Sequence, residues 1–190
     1  VERWRDDALP LWLFGAGHVG QAVLRQLAEL PLFDVLCLDS RKSLLHTPEA
    51  PHIAARWIAE PVEAVAQAAP GTAWLVMTHD HEIDYQICSA VLRRGDARWL
   101  GLIGSASKAA RFRSRLRREG FMPAQIEQMC SPVGIPGVPG KLPAAIAVSI
   151  VAQLLTLTAR QSATDRADCE ADCRHCGSAT SHFADAAADA

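Results

Sequence analysis

Gly15, Gly17 and Gly20 stand in the run LWLFGAGHVGQAV (residues 11–23), directly after an apolar stretch. Glycines at this spacing suit the cradling of a phosphate or pyrophosphate. Gly15 allows the tight turn, Gly17 lets backbone N–H groups approach an anion, and Gly20 permits close packing of a helix on a strand. The N-terminus of that helix adds partial positive charge. Asp39, nineteen residues after Gly20, ends the next apolar run, where a ribose-binding acid belongs; it is equally placed to cap the following turn. Arg41 suits a 2′-phosphate or plain solvation, and His18 either meets the ligand or packs on the helix end.

A second dense set is THDHEID, with Thr78, His79, Asp80, His81 and Asp84. These types bind metals or relay protons, and they also make an N-capped helix start. The favoured reading is mixed: His79 and Asp80 reach the ligand while His81 and Asp84 lie mostly at the surface. In GSASKAARFRSRLRR, Gly104, Ser105 and Lys108 sit at a helix start, the geometry of an anion pocket, with Arg111, Arg115 and Arg118 continuing a basic stripe. Phosphate at the near end is expected rather than nucleic acid, because no aromatic or recognition-helix motif accompanies the stripe. Lys141 joins from a Gly/Pro-rich loop. Cys169, Cys173 and Cys176 form C-x3-C-x2-C, a spacing that suits zinc or an iron–sulfur cluster, against the alternative of a flexible tail. No nucleophile with an orienting base appears, so no catalytic residue is assigned.

The elements that must position these groups alternate strand and helix. Residues 10–14 and 33–38 read as buried strands, with a helix between them carrying Val19, Ala22, Val23, Leu27 and Leu30 at steps of three and four. A short third strand is expected within 52–59 and a short helix in PVEAVAQAAPG. Strands follow at 72–78 and 97–103, each leading into a helix, then a helical stretch at 123–129. The helix from Pro143 is apolar almost all round and is therefore expected to be buried. The alternation predicts an α/β fold, a doubly wound, mostly parallel sheet with helices on both faces. In such a sheet the loops after the strands gather on one rim, so Gly15 to Gly20, Asp39 to Arg41, Thr78 to Asp80 and Gly104 to Lys108 should share it.

The chain has 190 residues, room for one domain with a substantial core but not for a two-domain dehydrogenase. Residues 1–160 hold 17 Lys/Arg against 15 Asp/Glu, whereas residues 161–190 hold 2 against 6. That shift divides the chain into a domain over 1–161 and an acidic, disordered tail over 162–190. No apolar run approaches the roughly 20 residues of a membrane span. The charged start VERWRDD lacks a secretory h-region, and Cys37, Cys88 and Cys130 lie singly in apolar contexts. A cytoplasmic protein is expected, with no membrane or nucleic-acid partner.

LFGAGHVGQAV, THDHEIDYQIC, WLGLIGSASKAARF, CSPVGIPG and GKLPAAIAVSIVAQLL, in this order and spacing, closely resemble the Rossmann-type domain of the xanthine dehydrogenase accessory proteins, the XdhC/CoxI family. The resemblance covers roughly residues 10–157. It implies a Rossmann-like fold and a non-enzymatic chaperone that binds the molybdenum cofactor (molybdopterin). Such proteins protect the cofactor while a cysteine desulfurase exchanges an oxo for a sulfido ligand, then deliver it to the apo-form of xanthine dehydrogenase; a homo-oligomer is implied as well. The glycine loop with Ser105 and Lys108 would hold the cofactor phosphate, and His79 and Asp80 would lie near the pterin or metal end. The family usually has Lys-Glu-Pro where this chain has Lys141-Leu142-Pro143, and carries an amino-terminal domain where this chain has only VERWRDDALP before the glycine-loop block. The alternative is an NAD(P)-dependent oxidoreductase using Asp39 for the ribose.

Overall fold

The computed structural model describes residues 8–138 and 141–172, with side chains up to residue 158. In chain order the elements are β1 (Leu9–Phe14), α1 (His18–Leu27), β2 (Phe33–Asp39), β3 (Ile53–Trp57), α2 (Pro61–Ala64), β4 (Ala73–Val76) and α3 (His81–Arg94), then β5 (Trp99–Leu102), α4 (Ala106–Arg118), α5 (Pro123–Glu127), β6 (Met129–Cys130) and α6 (Pro143–Asp172). The strands form one sheet in the order β3-β2-β1-β4-β5-β6, and every pair is parallel. The chain enters at the centre, winds outward to β3, then returns past β1 to β4. The reversal between β1 and β4 is the topological switch point, where strand ends part and ligands bind in folds of this kind.

Alternation along the strands splits the core in two. Leu11 and Leu13 of β1, Val35 and Cys37 of β2 and Leu75 of β4 pack with Val23, Leu24 and Leu27 of α1 and Ala147, Ile150 and Leu154 of α6. Phe14, Leu38, Trp74 and Val76 point to the opposite face and pack with Ile87 and Val91 of α3 and Phe112 and Leu116 of α4. Both faces are thus helix-covered, as the continuous apolar strands require. Each large aliphatic side chain fully buried in these layers contributes about 1.5–3 kcal/mol.

The structure refines or departs from expectation in several places. The stretch predicted helical over 123–129 stops at Glu127, and Met129–Cys130 forms a sixth strand, too short to show a periodicity. Residues 61–71 give the expected short helix, α2, continued by a 3-10 turn, Val65–Gln67. Helix α6 is not buried all round: Ala147, Ile150, Val151 and Leu154 face α1, while Val148 is 52% exposed. It runs to Asp172. Cys169 falls in its last turns, where side chains are not described, and Cys173, Cys176 and the rest of the tail lie outside the described residues. Among the described residues, no helix is long and apolar enough to cross a membrane.

Candidate functional site

The switch point holds a narrow crevice lined by Gly15, Leu38, Asp39, Ser40, Thr78 and His79, among others. Gly15 is the residue of the glycine loop that lines it. Gly15 has φ +110°, and a Cβ there would meet Met77 O at 2.2 Å, so the end of β4 can lie against the loop only beside a glycine. A Cβ on Gly20 would meet Gly15 O at 2.1 Å, so α1 seats on the loop for the same reason. Gly17 differs from both: it has an ordinary backbone, φ −69° and ψ −170°, and a Cβ there would meet nothing within 4 Å. Its lack of a side chain leaves open space rather than relieving a clash.

Gly17 is also the N-cap of α1, which has no side-chain cap and no acidic residue in its first turn. The N–H groups that open a helix need acceptors. Ser, Thr, Asp or Asn would ordinarily supply one; this helix has no side-chain cap, and the space a side chain at its N-cap would enter is open within 4 Å. His18, its first residue, is exposed at the same end.

The structure gives Asp39 a different task from ribose binding. The residue is 4% exposed. Its oxygens accept hydrogen bonds from Ala16 N–H (2.7 Å), Arg41 N–H (2.8 Å), Arg41 Nε (2.9 Å) and Arg41 Nη2 (2.8 Å). The carboxylate ties the end of β2 to the glycine loop and fastens Arg41 over itself. Burial alone would raise its pKa, but hydrogen bonds from the Arg41 side chain and the Ala16 and Arg41 N–H groups outweigh that and hold it below the usual carboxylate range. Arg41, half-buried, is thus engaged by Asp39 and is not free to take a 2′-phosphate while this pair stands.

A larger correction concerns Asp84 and Lys108. Asp84 was expected at the surface, yet it is fully buried. Its Oδ1 accepts from Thr78 N–H at 2.9 Å and lies 2.7 Å from Thr78 Oγ1; its Oδ2 accepts from Lys108 Nζ at 2.6 Å. Lys108 Nζ also donates to Ile103 O at 3.1 Å. The lysine expected to hold phosphate therefore turns inward, where a buried ion pair joins the loop after β4, α3, the end of β5 and α4. Ser105 is likewise engaged as N-cap of α4, accepting from Lys108 N–H. Gly104, Ser105 and Lys108 thus form a structural clamp rather than an anion pocket, and they do not line the crevice. Lys141 is exposed at the foot of α6, also away from it.

The remaining candidates separate cleanly. Asp80 caps α3, accepting from Glu82 N–H at 2.6 Å, so the capping role prevails over the ligand role. His79 is exposed and lines the crevice; His81 is exposed on α3. On the basic stripe, Arg115 is paired with Glu82 at 2.6 Å and Glu119 at 3.1 Å and lies over Tyr85, while Arg111 and Arg118 are exposed. Cys37 is buried beside Asp39, and burial first, then that negative charge, push its thiol up to about 12. It behaves as a small apolar side chain. Among the described residues, no group of three or more His, Cys, Asp or Glu is arranged to hold a metal ion.

The XdhC Rossmann domain matches residues 11–154. The chain belongs to that family. Among solved structures it is similar to a xanthine dehydrogenase from Bacillus halodurans, at 25% identity and a TM-score of 0.64, over 79% of this chain and 42% of the other. This XdhC domain therefore spans less than half the length of that relative. It also resembles the E. coli tRNA N6-threonylcarbamoyladenosine dehydratase TcdA, at 13% identity and a TM-score of 0.56 over 84% of this chain and 90% of the other, a likeness of fold alone. No curated protein matches the chain.

Proposed function

We propose that this chain is a molybdenum-cofactor-binding accessory domain, a chaperone rather than an enzyme, acting in the maturation of a xanthine dehydrogenase-type molybdenum hydroxylase. The observation that carries the reading is the uncapped N-terminus of α1 beside the open space at Gly17, in a chain that belongs to the XdhC family.

The residues present fit the phosphate-bearing end of such a cofactor. The first N–H groups of α1, at Gly17 to Val19, would donate hydrogen bonds to the phosphate with the helix dipole behind them. His18 stands exposed at that end of the helix, and Thr78 and His79 line the crevice, where they would border the pterin. The half-buried Asp39–Arg41 pair and the buried Asp84–Lys108 pair keep the two loops at fixed positions on either side of the switch point. The cofactor supplies the redox chemistry of the enzyme that finally receives it; the residues described here bind, orient and shield. The described donor set offers no cluster for direct ligation of the metal, which suits a carrier gripping the organic part. The apo-dehydrogenase and a cysteine desulfurase are the partners this role requires.

The test is retention. Purified protein mixed with molybdenum cofactor should carry it through gel filtration, and calorimetry with NAD and NADP under the same conditions should show no comparable binding. A folded protein that fails to retain the cofactor, or that binds NAD(P) more tightly, would replace this reading with the oxidoreductase one.

A further inference from the structure

The site described so far ends at Asp39, but the row of residues across the rim does not. Phe14 of β1 is in register with Leu38 of β2, and Gly15 N–H donates to Leu38 O at 2.8 Å, which sets Gly15 beside Asp39. Asp39 in turn is in register with Trp57, the last residue of the edge strand β3. Adjacent strands lie about 4.8 Å apart, so Trp57 stands roughly 10 Å from the glycine loop along this row. That is about the reach from the 5′-phosphate of a nucleotide to its base.

Trp57 combines exposure with a fixed position. It is 45% exposed, one of the few large apolar side chains so placed among the described residues. It is nevertheless held: its indole N–H donates to Ser40 O at 2.9 Å, and Ser40 itself lines the crevice. The Lys42 ammonium lies 4.5 Å from the ring centroid. The crossover from β2 to β3 carries only the 3-10 turn Lys42–Leu44, and of the β3 residues only Ile53 is buried, so the packing of the core does not require an indole here. A fixed, partly exposed aromatic ring beside a cation is the kind of platform on which a nucleobase stacks, because every base offers a π-face.

We propose that Trp57 is a stacking platform for the base of a nucleoside diphosphate unit, so that the cradle takes a nucleotide-extended form of its cofactor in preference to the simple phosphomonoester. The proposal rests on the reading of the α1 N-terminus as a phosphate cradle. Lys42 both braces the indole and places positive charge beside the nucleotide.

Three ligands separate the two claims: inorganic pyrophosphate, CDP and GDP, each titrated by calorimetry into the full chain and into Trp57→Ala and Trp57→Phe. The parent should bind the nucleoside diphosphates tighter than pyrophosphate by roughly five- to a hundredfold, the usual worth of one base on an aromatic ring. Trp57→Ala should remove that difference and leave pyrophosphate affinity unchanged, and Trp57→Phe should restore most of it. Equal affinities in the parent, or a Trp57→Ala chain that keeps the preference, would overturn the stacking role. Parallel loss of all three ligands in both variants, with thermal unfolding unaltered, would show that Trp57 only shapes the loop and would also overturn it. A parent that binds none of the three would remove the cradle itself.

Discussion

Replacing Gly17 with Asp tests the cradle without threatening the fold. Gly17 has the extended backbone of an ordinary N-cap, and its Cβ would enter open space, so the substitution introduces no strain. Asp is among the best N-caps, a few tenths of a kcal/mol better than Gly. A negative charge at a helix N-terminus adds about 0.3–1 kcal/mol. Loss of glycine's freedom in the unfolded chain adds about 0.4–1 kcal/mol more. The variant should therefore be more stable than the parent by about 1 kcal/mol, which for a chain of this size is a rise of about 2–4 °C in Tm. Binding should move the opposite way. The new carboxylate would occupy the donors that the ligand needs and stand within about 4 Å of its phosphate, a repulsion of up to about 4 kcal/mol at an effective dielectric near 20. At least a hundredfold loss of pyrophosphate or cofactor affinity should follow, read by calorimetry beside a thermal melt. A stabilised Gly17→Asp chain that still binds as the parent does would refute the cradle, and a destabilised one would refute the N-cap geometry.

Further predictions concern the supports of the site. Removing one partner of the buried Asp84–Lys108 pair, by Asp84→Asn or Lys108→Met, should cost about 3–5 kcal/mol in urea unfolding, whereas the double variant should recover part of that loss. Additive losses would mean that the two groups do not depend on each other. Because the Asp39 carboxyl is held below its unfolded value, its contribution to stability is complete above pH ~4 and declines as pH falls through the folded pKa. Asp39→Asn should therefore flatten the acid limb of the stability profile, and an unchanged limb would contradict the network around Ala16 and Arg41. Burial raises the thiols of Cys37, to about 12, and of Cys88, so iodoacetamide on the native protein should spare both and reach the half-buried Cys130 sooner, as peptide mass mapping would show. Early labelling of Cys37 would place it at the surface.

The glycine loop was legible in the sequence because its three glycines answer to local geometry: a positive φ at Gly15, a close backbone at Gly20 and an open approach at Gly17. The alternation of strand and helix likewise carries the parallel sheet, since each strand is flanked by its own turn residues. What the sequence concealed are pairings between distant elements. Lys108 opens a basic helix and looks like an anion ligand; only the fold sets Asp84 of α3 within 2.6 Å of it. A signal for Asp84 did exist, because it precedes Ile87, Cys88 and Val91 at spacings of three, four and seven, which puts an acid on the buried stripe of its helix. Asp39 was found by position but its partner was not, although Arg41 stands only two residues on. Trp57 was passed over because a two-sided exposed edge strand gives its side chains no alternation to read. Strand β6, with two residues, lies below any periodicity.

The measurement that bears most directly on the account is co-elution of molybdenum cofactor with the intact chain, quantified as molybdenum and pterin per protein, for the parent and for Gly17→Asp side by side. Cofactor should be present in the parent peak and lost from a Gly17→Asp peak whose Tm is equal or higher. Cofactor absent from a folded parent, or present equally in both peaks, would contradict it.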